Sequence, residues 1–304
     1  MYTFKDIELS DRELITSYTI PTNRRNCDLS FSNLCSWRFL YDTQFAIIED
    51  LLVFKFWASG ELAYMMPVGE GNVKKVIRIL IEDAKKEGQP FVMLGVCEEM
   101  KKKLDEIAPG KFNFVSNRDY SDYLYERTDL ATLKGKKFQS KRNFVNRFKK
   151  NFKYEYKPIT LGRIDECLEL EAKWCIVNDC NKHDGTENER KALTYALKNF
   201  KELGLTGGIL YADGEIVAFT FGMPINYDTF GVHVEKADTQ IEGAYAMINR
   251  EFAKQIPEQF KYINREEDLG IEGLRKAKLS YQPSIILNKY MASLAVDPVE
   301  TIDW

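Results

Sequence analysis

The same order of strand and helix signals occurs in both halves of this 304-residue chain, and this recurrence limits the folds open to it. In the first half, β-rich runs at 45–57 and 62–68 are separated by Ser59-Gly60, a hairpin signal. Apolar spacing then predicts a helix over 73–84, a buried strand over 91–96 and a helix near 100–107. Strands at 112–115 and 120–125 complete a β-β-α-β-α-β unit.

The second half shows a similar series. Helices are predicted over 161–178 and 187–203, followed by a hairpin over 208–223 that turns at Asp213-Gly214. A strand (229–235), a helix (241–256), a strand (260–264), a short helix (273–279) and a last strand (284–291) follow. The chain is about twice the usual domain length. We therefore predict duplicated α/β domains with mixed sheets at 1–132 and 158–304, joined by a basic connecting helix at 133–157.

Composition narrows the class of protein. A hydrophobic fraction of 44%, a charged fraction of 29% and a net charge of −3 are typical of a soluble globular protein and argue against a DNA-coating one. The sequence predicts neither a membrane span nor a signal peptide. The six cysteines have no framework spacing, so we expect reduced thiols and a cytoplasmic protein. Cys175, Cys180 and His183 are three potential zinc ligands without an obvious fourth, and no metal is expected.

The segment 134–157 is unusually basic, with Glu155 as its one acid. Phe138, Val145, Phe148 and Phe152 would share one face of a helix. Such a helix is either a solvated linker packed by its apolar stripe or a surface that binds phosphates, in a nucleic acid such as tRNA, an anionic lipid head group or coenzyme A. Its basic residues are Lys134, Lys136, Lys137, Lys141, Arg142, Arg147, Lys149, Lys150, Lys153 and Lys157.

The C-terminal motifs carry a family resemblance. NREEDLG at 264–270 and EGLRKAKLSYQP at 272–283, with LKGKK at 133–137 and KRNFVNRF at 141–148, resemble a bacterial family. That family is grouped with the C-terminal domain of phosphatidylglycerol lysyltransferase, and the similarity covers roughly 20–295. It implies two tandem acetyltransferase-like (GNAT) domains related to the Fem-type peptidoglycan transferases, with the active site in the second copy. Members of the wider group transfer an acyl group from coenzyme A, or an aminoacyl group from tRNA, to an amine or hydroxyl.

Four residues of these motifs are candidate catalytic residues. Asp268 could orient an amine or act as a base, and Arg275 and Lys278 share a helix face that could meet a phosphate or carboxylate. Tyr281 could protonate a leaving group. The alternative is a structural network in which Glu272 pairs with Arg275 and Tyr281 packs against a proline.

The resemblance also implies a coenzyme A site. Such GNAT proteins have a Gln/Arg-x-x-Gly-x-Gly/Ala turn, whose free backbone N–H groups hold a pyrophosphate. Here the turn reads QIEGAY at 240–245, where Tyr245 replaces the last small residue; the alternative is a simple helix start. The residues expected to bind the cofactor are Val234, Glu235, Gln240, Gly243, Ala244, Tyr245 and Asn264.

Two functions remain open from the sequence. The first is an acyltransferase or aminoacyltransferase whose acceptor, a small molecule, lipid or peptide, is not specified. The second is a non-catalytic module that binds a phosphorylated ligand or RNA. Stabilisation by coenzyme A or by tRNA would distinguish the donors.

Overall fold

The computed structural model describes residues 2–177 and 184–295, and most of the helices that apolar periodicity predicts lie close to their expected positions. The short helices at 12–19, 31–36, 38–41 and 127–132 were not predicted. The helix predicted over 73–84, for example, is α4 (Val73–Lys86), and Asn72 caps its N-terminus by accepting a hydrogen bond from the Lys75 backbone N–H (3.0 Å). The first-half elements are β1 (Lys5–Asp6), α1 (Arg12–Thr19), α2 (Phe31–Ser36), α3 (Arg38–Tyr41), β2 (Gln44–Ile48), β3 (Leu51–Ala58), β4 (Glu61–Met65), α4 (Val73–Lys86), β5 (Val92–Val96), α5 (Glu98–Ile107), β6 (Phe112–Ser116), β7 (Asp122–Glu126) and α6 (Arg127–Thr132).

The second half begins with the basic segment. Its elements are α7 (Gln139–Asn151), β8 (Tyr154–Pro158), α8 (Ile164–Val177), α9 (Asp184–Lys198), β9 (Thr206–Ala212), β10 (Glu215–Pro224), β11 (Thr229–Ala237), α10 (Ala244–Gln255), β12 (Tyr262–Asn264), α11 (Glu272–Leu279), β13 (Ile285–Leu287) and β14 (Tyr290–Leu294). The hairpin β9–β10 turns at Asp213-Gly214 as predicted.

The strands form two seven-stranded mixed sheets with one common order. The first runs β1-β2-β3-β4-β5-β14-β6, and the second, read from its other edge, runs β8-β9-β10-β11-β12-β7-β13. In both sheets the fourth and fifth strands are the parallel pair, and the remaining pairings are antiparallel. This match confirms the predicted α/β fold of two tandem GNAT-type units.

The two units exchange a strand, which the sequence analysis did not predict. Strand β7, expected to complete the first unit, lies between β12 and β13 of the second sheet. The last predicted strand is instead two strands, and β14 crosses back to lie between β5 and β6 of the first. Sheet membership therefore does not follow the chain division at 132 and 158. Strand partners are set by long-range pairing, which local patterns do not contain.

The basic segment is not a single connecting helix. Helix α7 ends at Asn151, and 154–158 form β8, an edge strand paired with β9. Tyr154 and Tyr156 alternate with polar residues, which is the pattern of a strand. The prediction that the helix continues to residue 157 is therefore wrong. Val145 and Phe148 of α7 are buried with α10 residues in the core of the second copy. The helix is therefore a packed part of this copy.

Candidate functional site

The parallel strands of the second copy separate at their carboxyl ends. Strands β11 and β12 pair from Thr229 opposite Tyr262 to Gly231 opposite Asn264, and β11 then continues to Ala237 alongside β10. We call residues 232–237 and 265–268 the strand fork. Ligands in open α/β sheets bind outside the carboxyl ends of parallel strands. The fork is therefore the place where this copy is expected to hold a ligand.

An ionic cluster, here called the fork cluster, joins the two strands of the fork. Glu235 of β11 accepts a hydrogen bond from Arg265 Nη2 (2.7 Å) and another from Asn249 Nδ2 of α10 (3.1 Å). The Arg265 guanidinium also lies over the rings of Tyr281 (4.8 Å to the centroid) and Tyr125 (5.6 Å). Only 12% of the Arg265 side chain is exposed. This arginine is fixed on several sides before any ligand binds.

Lys141 of α7 belongs to the same cluster. Its Nζ lies 4.0 Å from the centroid of the Tyr281 ring. Burial, reinforced by the charge of Arg265, lowers the pKa of Lys141 to about 8. The sequence analysis counted this lysine only within the basic segment. Its 141, 145, 148 spacing with Val145 and Phe148 was the available signal, because it places Lys141 on the buried face of the helix.

Asp268 and Arg275 form a network with each other. Fully buried Asp268 accepts hydrogen bonds from Arg275 Nε (2.8 Å) and Nη2 (2.7 Å), from the Tyr123 hydroxyl and from the Gly270 backbone N–H (2.9 Å). The hydrogen bonds from Arg275 lower the pKa of Asp268 despite its burial. Arg275 also binds Asp119 at 2.6 Å, so its partners are these aspartates and not Glu272. The arrangement fixes the loop before α11 and leaves Asp268 poorly suited to accept a proton.

The other two candidate catalytic residues are buried beside the fork. The Lys278 ammonium donates to the backbone oxygens of Arg265 (2.5 Å) and Glu267, and burial lowers its pKa. The Tyr281 ring packs edge-on against Tyr125 at 6.4 Å. Burial raises the pKa of Tyr281. Lys278 thus holds the chain after β12, and Tyr281 forms the floor beneath Arg265 and Lys141.

The glycine turn is covered by α7. Gly243 has φ +88° and precedes α10, as a phosphate-binding turn would require. A Cβ at this glycine would lie 2.5 Å from the Phe144 backbone oxygen and 3.1 Å from the Phe148 Cβ. Because Lys141 of the same helix lies over Tyr281, α7 contacts both the turn and the residues after α11. Helix α7 therefore lies between the glycine turn and the residues after α11.

The remaining residues of the predicted cofactor set make structural contacts. The Val234 backbone oxygen accepts from Thr220 Oγ1 (2.7 Å), and the Gln240 backbone N–H donates to Asp238 (2.8 Å). Tyr245 accepts from Trp174 Nε1 (3.1 Å), and Ala244 is fully buried.

Asn264, also in that set, lies at the end of β12. It donates to the Arg25 backbone oxygen (2.7 Å) and to Asp122 (2.8 Å). Of the seven predicted cofactor residues, Glu235 is the one whose side chain joins the fork cluster described above.

His233, which the sequence analysis did not single out, links the fork to the N-terminal segment. Its ring nitrogens lie 2.8 Å from Ser30 Oγ and 2.8 Å from Glu266 Oε1. Asn33 Nδ2 donates to the same glutamate oxygen (2.7 Å). Ser30 is 1% exposed, so its hydroxyl is covered in this conformation. No local pattern could show a link between residues 203 positions apart.

A second buried cluster lies where the exchanged strands cross. Cys27, Asp122 and Glu267 place potential metal-ligand atoms within 4.8 Å of one another. The Lys289 ammonium lies among them, bound to Asp122 (2.9 Å), Glu267 and Asp28 (3.2 Å). These contacts make the lysine ammonium the cation of this cluster.

The cysteines differ in part from the expectation of reduced thiols. Cys27, Cys35, Cys97 and Cys167 are free and buried, whereas Cys175 is disulfide-bonded. Spacing along the chain does not show which thiols meet in space. Cys180 and His183 lie outside the described residues. Within residues 2–177 and 184–295, each helix is too short or too polar to cross a lipid bilayer.

Comparison with known proteins identifies the family. The family model described as "Phosphatidylglycerol lysyltransferase, C-terminal" matches residues 20–293. A conserved protein of unknown function from Bacteroides thetaiotaomicron is 69% identical, with a TM-score of 0.95, and the match covers 97% of this chain and 100% of that chain. The L-PGS of Bacillus licheniformis is 15% identical, with a TM-score of 0.66 and coverage of 98% and 94%, which shows the shared fold.

An uncharacterised protein of Mycoplasmoides gallisepticum is 27% identical over 182 residues. This match spans 59% of the present chain and 58% of that relative. Taken with the fold, the family match over residues 20–293 is decisive: the chain belongs to the family of the phosphatidylglycerol lysyltransferase C-terminal domain.

Proposed function

We propose that this protein is an aminoacyltransferase that moves an aminoacyl group from aminoacyl-tRNA to an amine or hydroxyl acceptor at the strand fork. Family membership supports a transferase of this kind. The observation that carries the proposal is the position of α7, which places the half-buried Lys141 amine, with its lowered pKa, beside Arg265 and exposes further lysines on its other side.

The outer surface of α7 and the residue Lys153 just after it suit the tRNA. Lys149, Lys150 and Lys153 are exposed, and no ion pair joins them to a carboxylate in the part of the chain that the structure describes. Exposed lysines that are not neutralised bind phosphates and release counterions, which gives salt-dependent affinity for RNA. One helix can thus contact the donor's backbone while Lys141 reaches its aminoacyl end.

The cluster can perform the transfer chemistry. The acceptor nitrogen or oxygen forms a bond to the ester carbonyl carbon, and the ester bond to the tRNA ribose breaks. Neutral Lys141 takes the proton of the nucleophile and delivers it to the ribose oxygen. The Arg265 guanidinium donates to the carbonyl oxygen, which gains negative charge in the transition state.

Lys141→Met tests this assignment. We expect the variant to lose about 10²–10⁴-fold in transfer rate, since general acid–base catalysis contributes that much. The wild-type rate should rise with pH and level off above about 8, where Lys141 becomes neutral. Transfer from radiolabelled aminoacyl-tRNA to candidate acceptors, measured across pH, provides both readouts.

The matched control is Lys102→Met, which removes an exposed lysine from α5 of the first copy. It should retain the wild-type rate and pH profile. An unchanged rate and pH profile in Lys141→Met would remove this lysine from the mechanism.

Coenzyme A is the alternative donor, and its support is the sequence of the turn at 240–245. A pyrophosphate at Gly243 would require α7 to move, because the Phe144 backbone oxygen lies 2.5 Å from the Cβ position. A ligand at about 100 times its Kd stabilises the folded state by about 2.7 kcal/mol. A thermal shift with coenzyme A and none with tRNA would favour an acyl-coenzyme A donor. Salt-sensitive binding of tRNA without any transfer would favour the non-catalytic RNA-binding module.

A further inference from the structure

The first copy has a strand fork of its own. Its parallel strands β4 and β5 end their pairing at Met65 opposite Leu94. Beyond this point the chain after β4 pairs with β3 at Val68, and β5 pairs with β14 at Val96. Ligands in open α/β sheets bind outside the carboxyl ends of parallel strands. The proposed transfer takes place at the fork of the second copy, so a ligand at this fork would serve a separate function.

A cleft opens at the carboxyl ends of β4 and β5, and we call it the first-copy cleft. Its polar side chains are Arg24 and Asn26, and Gly95 of β5 lies between the other walls. The apolar walls are Leu29, Met65, Met66, Leu94 and Met100. The cleft encloses about 170 Å³ of space, part of it open to solvent, and has room for about one water molecule inside. A ligand can therefore place one oxygen in the interior and keep its other atoms toward the opening.

The cation of the cleft has no anion beside it. Arg24 Nη1 donates to the Met66 backbone oxygen (2.7 Å) and Nη2 to the Pro67 backbone oxygen (2.5 Å), which fixes the guanidinium at the end of β4. Among the described residues, no carboxylate pairs with this arginine, and burial lowers its pKa to about 10. A guanidinium has five N–H donors, more than two carbonyl oxygens use. An anion in the cleft would therefore stabilise the charged side chain.

The second polar side chain lacks a partner as well. Asn26 is 3% exposed, and its Nδ2 donates to Asp28 Oδ2 (2.9 Å). This bond fixes the orientation of the amide, because a reversed Asn26 would turn its oxygen toward the carboxylate. Oδ1 of Asn26 is buried, and no donor of the described chain reaches it. A ligand that brings an N–H or O–H to this oxygen satisfies an acceptor that the protein leaves unpaired.

Arg24 and Asn26 lie on the same side of the chain. Both line the cleft, whereas Arg25 between them points to the second copy and binds Asp228 (3.1 and 2.5 Å). The backbone of Asn26 is extended (φ −71°, ψ 139°). Residues two positions apart in an extended chain lie about 6.5–7 Å apart on one side. Two hydrogen bonds of about 2.9 Å with a short ligand between them span such a distance.

We infer that the first-copy cleft binds a small carboxylate with a hydrogen-bond donor on the adjacent carbon, as in a 2-hydroxy or 2-amino acid. One carboxylate oxygen occupies the interior and accepts from Arg24, and the donor binds Asn26 Oδ1. The short aliphatic part packs against methionines, whose unbranched side chains adjust to small ligands. A phosphate dianion fits less well, because one guanidinium among apolar walls leaves most of its oxygens without donors.

The experiment measures equilibrium binding to the full chain by NMR, with ¹³C in the methionine methyl groups. Of the eight methionines, Met65, Met66 and Met100 line the cleft, so their signals report binding there. The probes are L-lactate and L-alanine; propionate lacks the donor, and lactamide lacks the charge. The tighter-binding probe should exceed lactamide at least about tenfold and propionate about 3–10-fold in affinity. These comparisons use the wild-type protein, so they do not depend on the folding of a variant.

Two variants assign the contacts. Arg24→Gln keeps a donor for one backbone oxygen and removes the charge, so it should weaken binding of the tighter probe at least about tenfold. Asn26→Leu keeps a similar side-chain volume, removes the acceptor and should abolish the preference over propionate. The matched controls alter exposed residues of the same copy, Arg78→Gln on α4 and Asn113→Leu on β6, and should leave the affinities unchanged.

Several results would overturn this site. Equal affinities for lactate and lactamide together with weak binding of alanine would do so, as would unchanged binding in Arg24→Gln. Ligand-induced shifts that spare the three cleft methionines, or no shift with any probe, would also remove it. The outcome is separate from that of the transfer assays, because Arg24 and Asn26 are not part of the fork cluster.

Discussion

At the scale of single residues, Lys289 is expected to have a large effect on stability. Its ammonium is buried among Asp28, Asp122 and Glu267. Burial alone would lower the pKa of Lys289, but these carboxylates outweigh it and raise the pKa. Lys289→Met leaves buried carboxylates uncompensated. We expect a loss of about 3–5 kcal/mol in the free energy of unfolding, measured by urea denaturation at pH 7.

Two further variants control this prediction. Lys276→Met removes an exposed lysine of α11 and should change the free energy of unfolding by less than about 0.5 kcal/mol. Glu267→Gln in the Lys289→Met background removes one of the uncompensated charges and should recover part of the loss. A cost below about 1 kcal/mol for Lys289→Met alone would contradict the buried-cation account.

Residue types and local spacing predicted the neighbourhood of the site better than the roles within it. Glu235 was in the predicted set, and Arg275 was correctly placed on a helix after β12. The partners of Arg275 could not be derived, because Asp119 lies 156 positions away and reaches it only through the strand exchange. Lys141 was not singled out, because the composition of a segment with many lysines does not show which of them is partly buried.

At the scale of elements, the contact between α7 and α10 depends on a glycine. Gly243→Ala would require a side chain at φ +88° and a Cβ 2.5 Å from the Phe144 backbone oxygen. The unfavourable backbone conformation alone costs about 1–3 kcal/mol, and displacement of α7 adds to it. Thermal unfolding should show this loss of stability. The transfer assay should also show a lower rate, because Lys141 lies on α7 and would move with it.

Gly273→Ala is the matched control. Gly273 lies within α11 and has no atom within 4 Å of its Cβ position. Alanine there should stabilise the protein by about 0.5–1 kcal/mol, because it limits the unfolded chain and favours the helix. Similar stabilisation by Gly243→Ala would show that α7 does not pack closely on the turn.

At the scale of the whole molecule, duplication could be predicted from the sequence but the strand exchange could not. The recurring element order sufficed to predict a duplicated α/β architecture, because hairpin turns and apolar periodicity are local. The GNAT type of the two units was implied by the family resemblance. The positions of β7 and β14 depend on pairing with strands from the other half of the chain. The sequence of a short apolar strand does not specify which other strand it pairs with. One hydrophobic cluster also spans both copies, with Phe54 and Phe219 among its members.

The exchange predicts that the two copies unfold together. Two domains joined only by a linker would give separate transitions, whereas here each sheet has an inner strand supplied by the other half. Calorimetry should therefore show one transition, with equal calorimetric and van't Hoff enthalpies.

Ala292→Asp buries a carboxylate in β14 of the first sheet, where Ala292 is 0% exposed. It should lower the hydrogen-exchange protection of β10 in the second sheet by as much as that of β5, whereas Ala277→Asp on the exposed surface of α11 should lower neither. Loss of protection in β5 alone would mean that the copies are thermodynamically independent despite their shared strands.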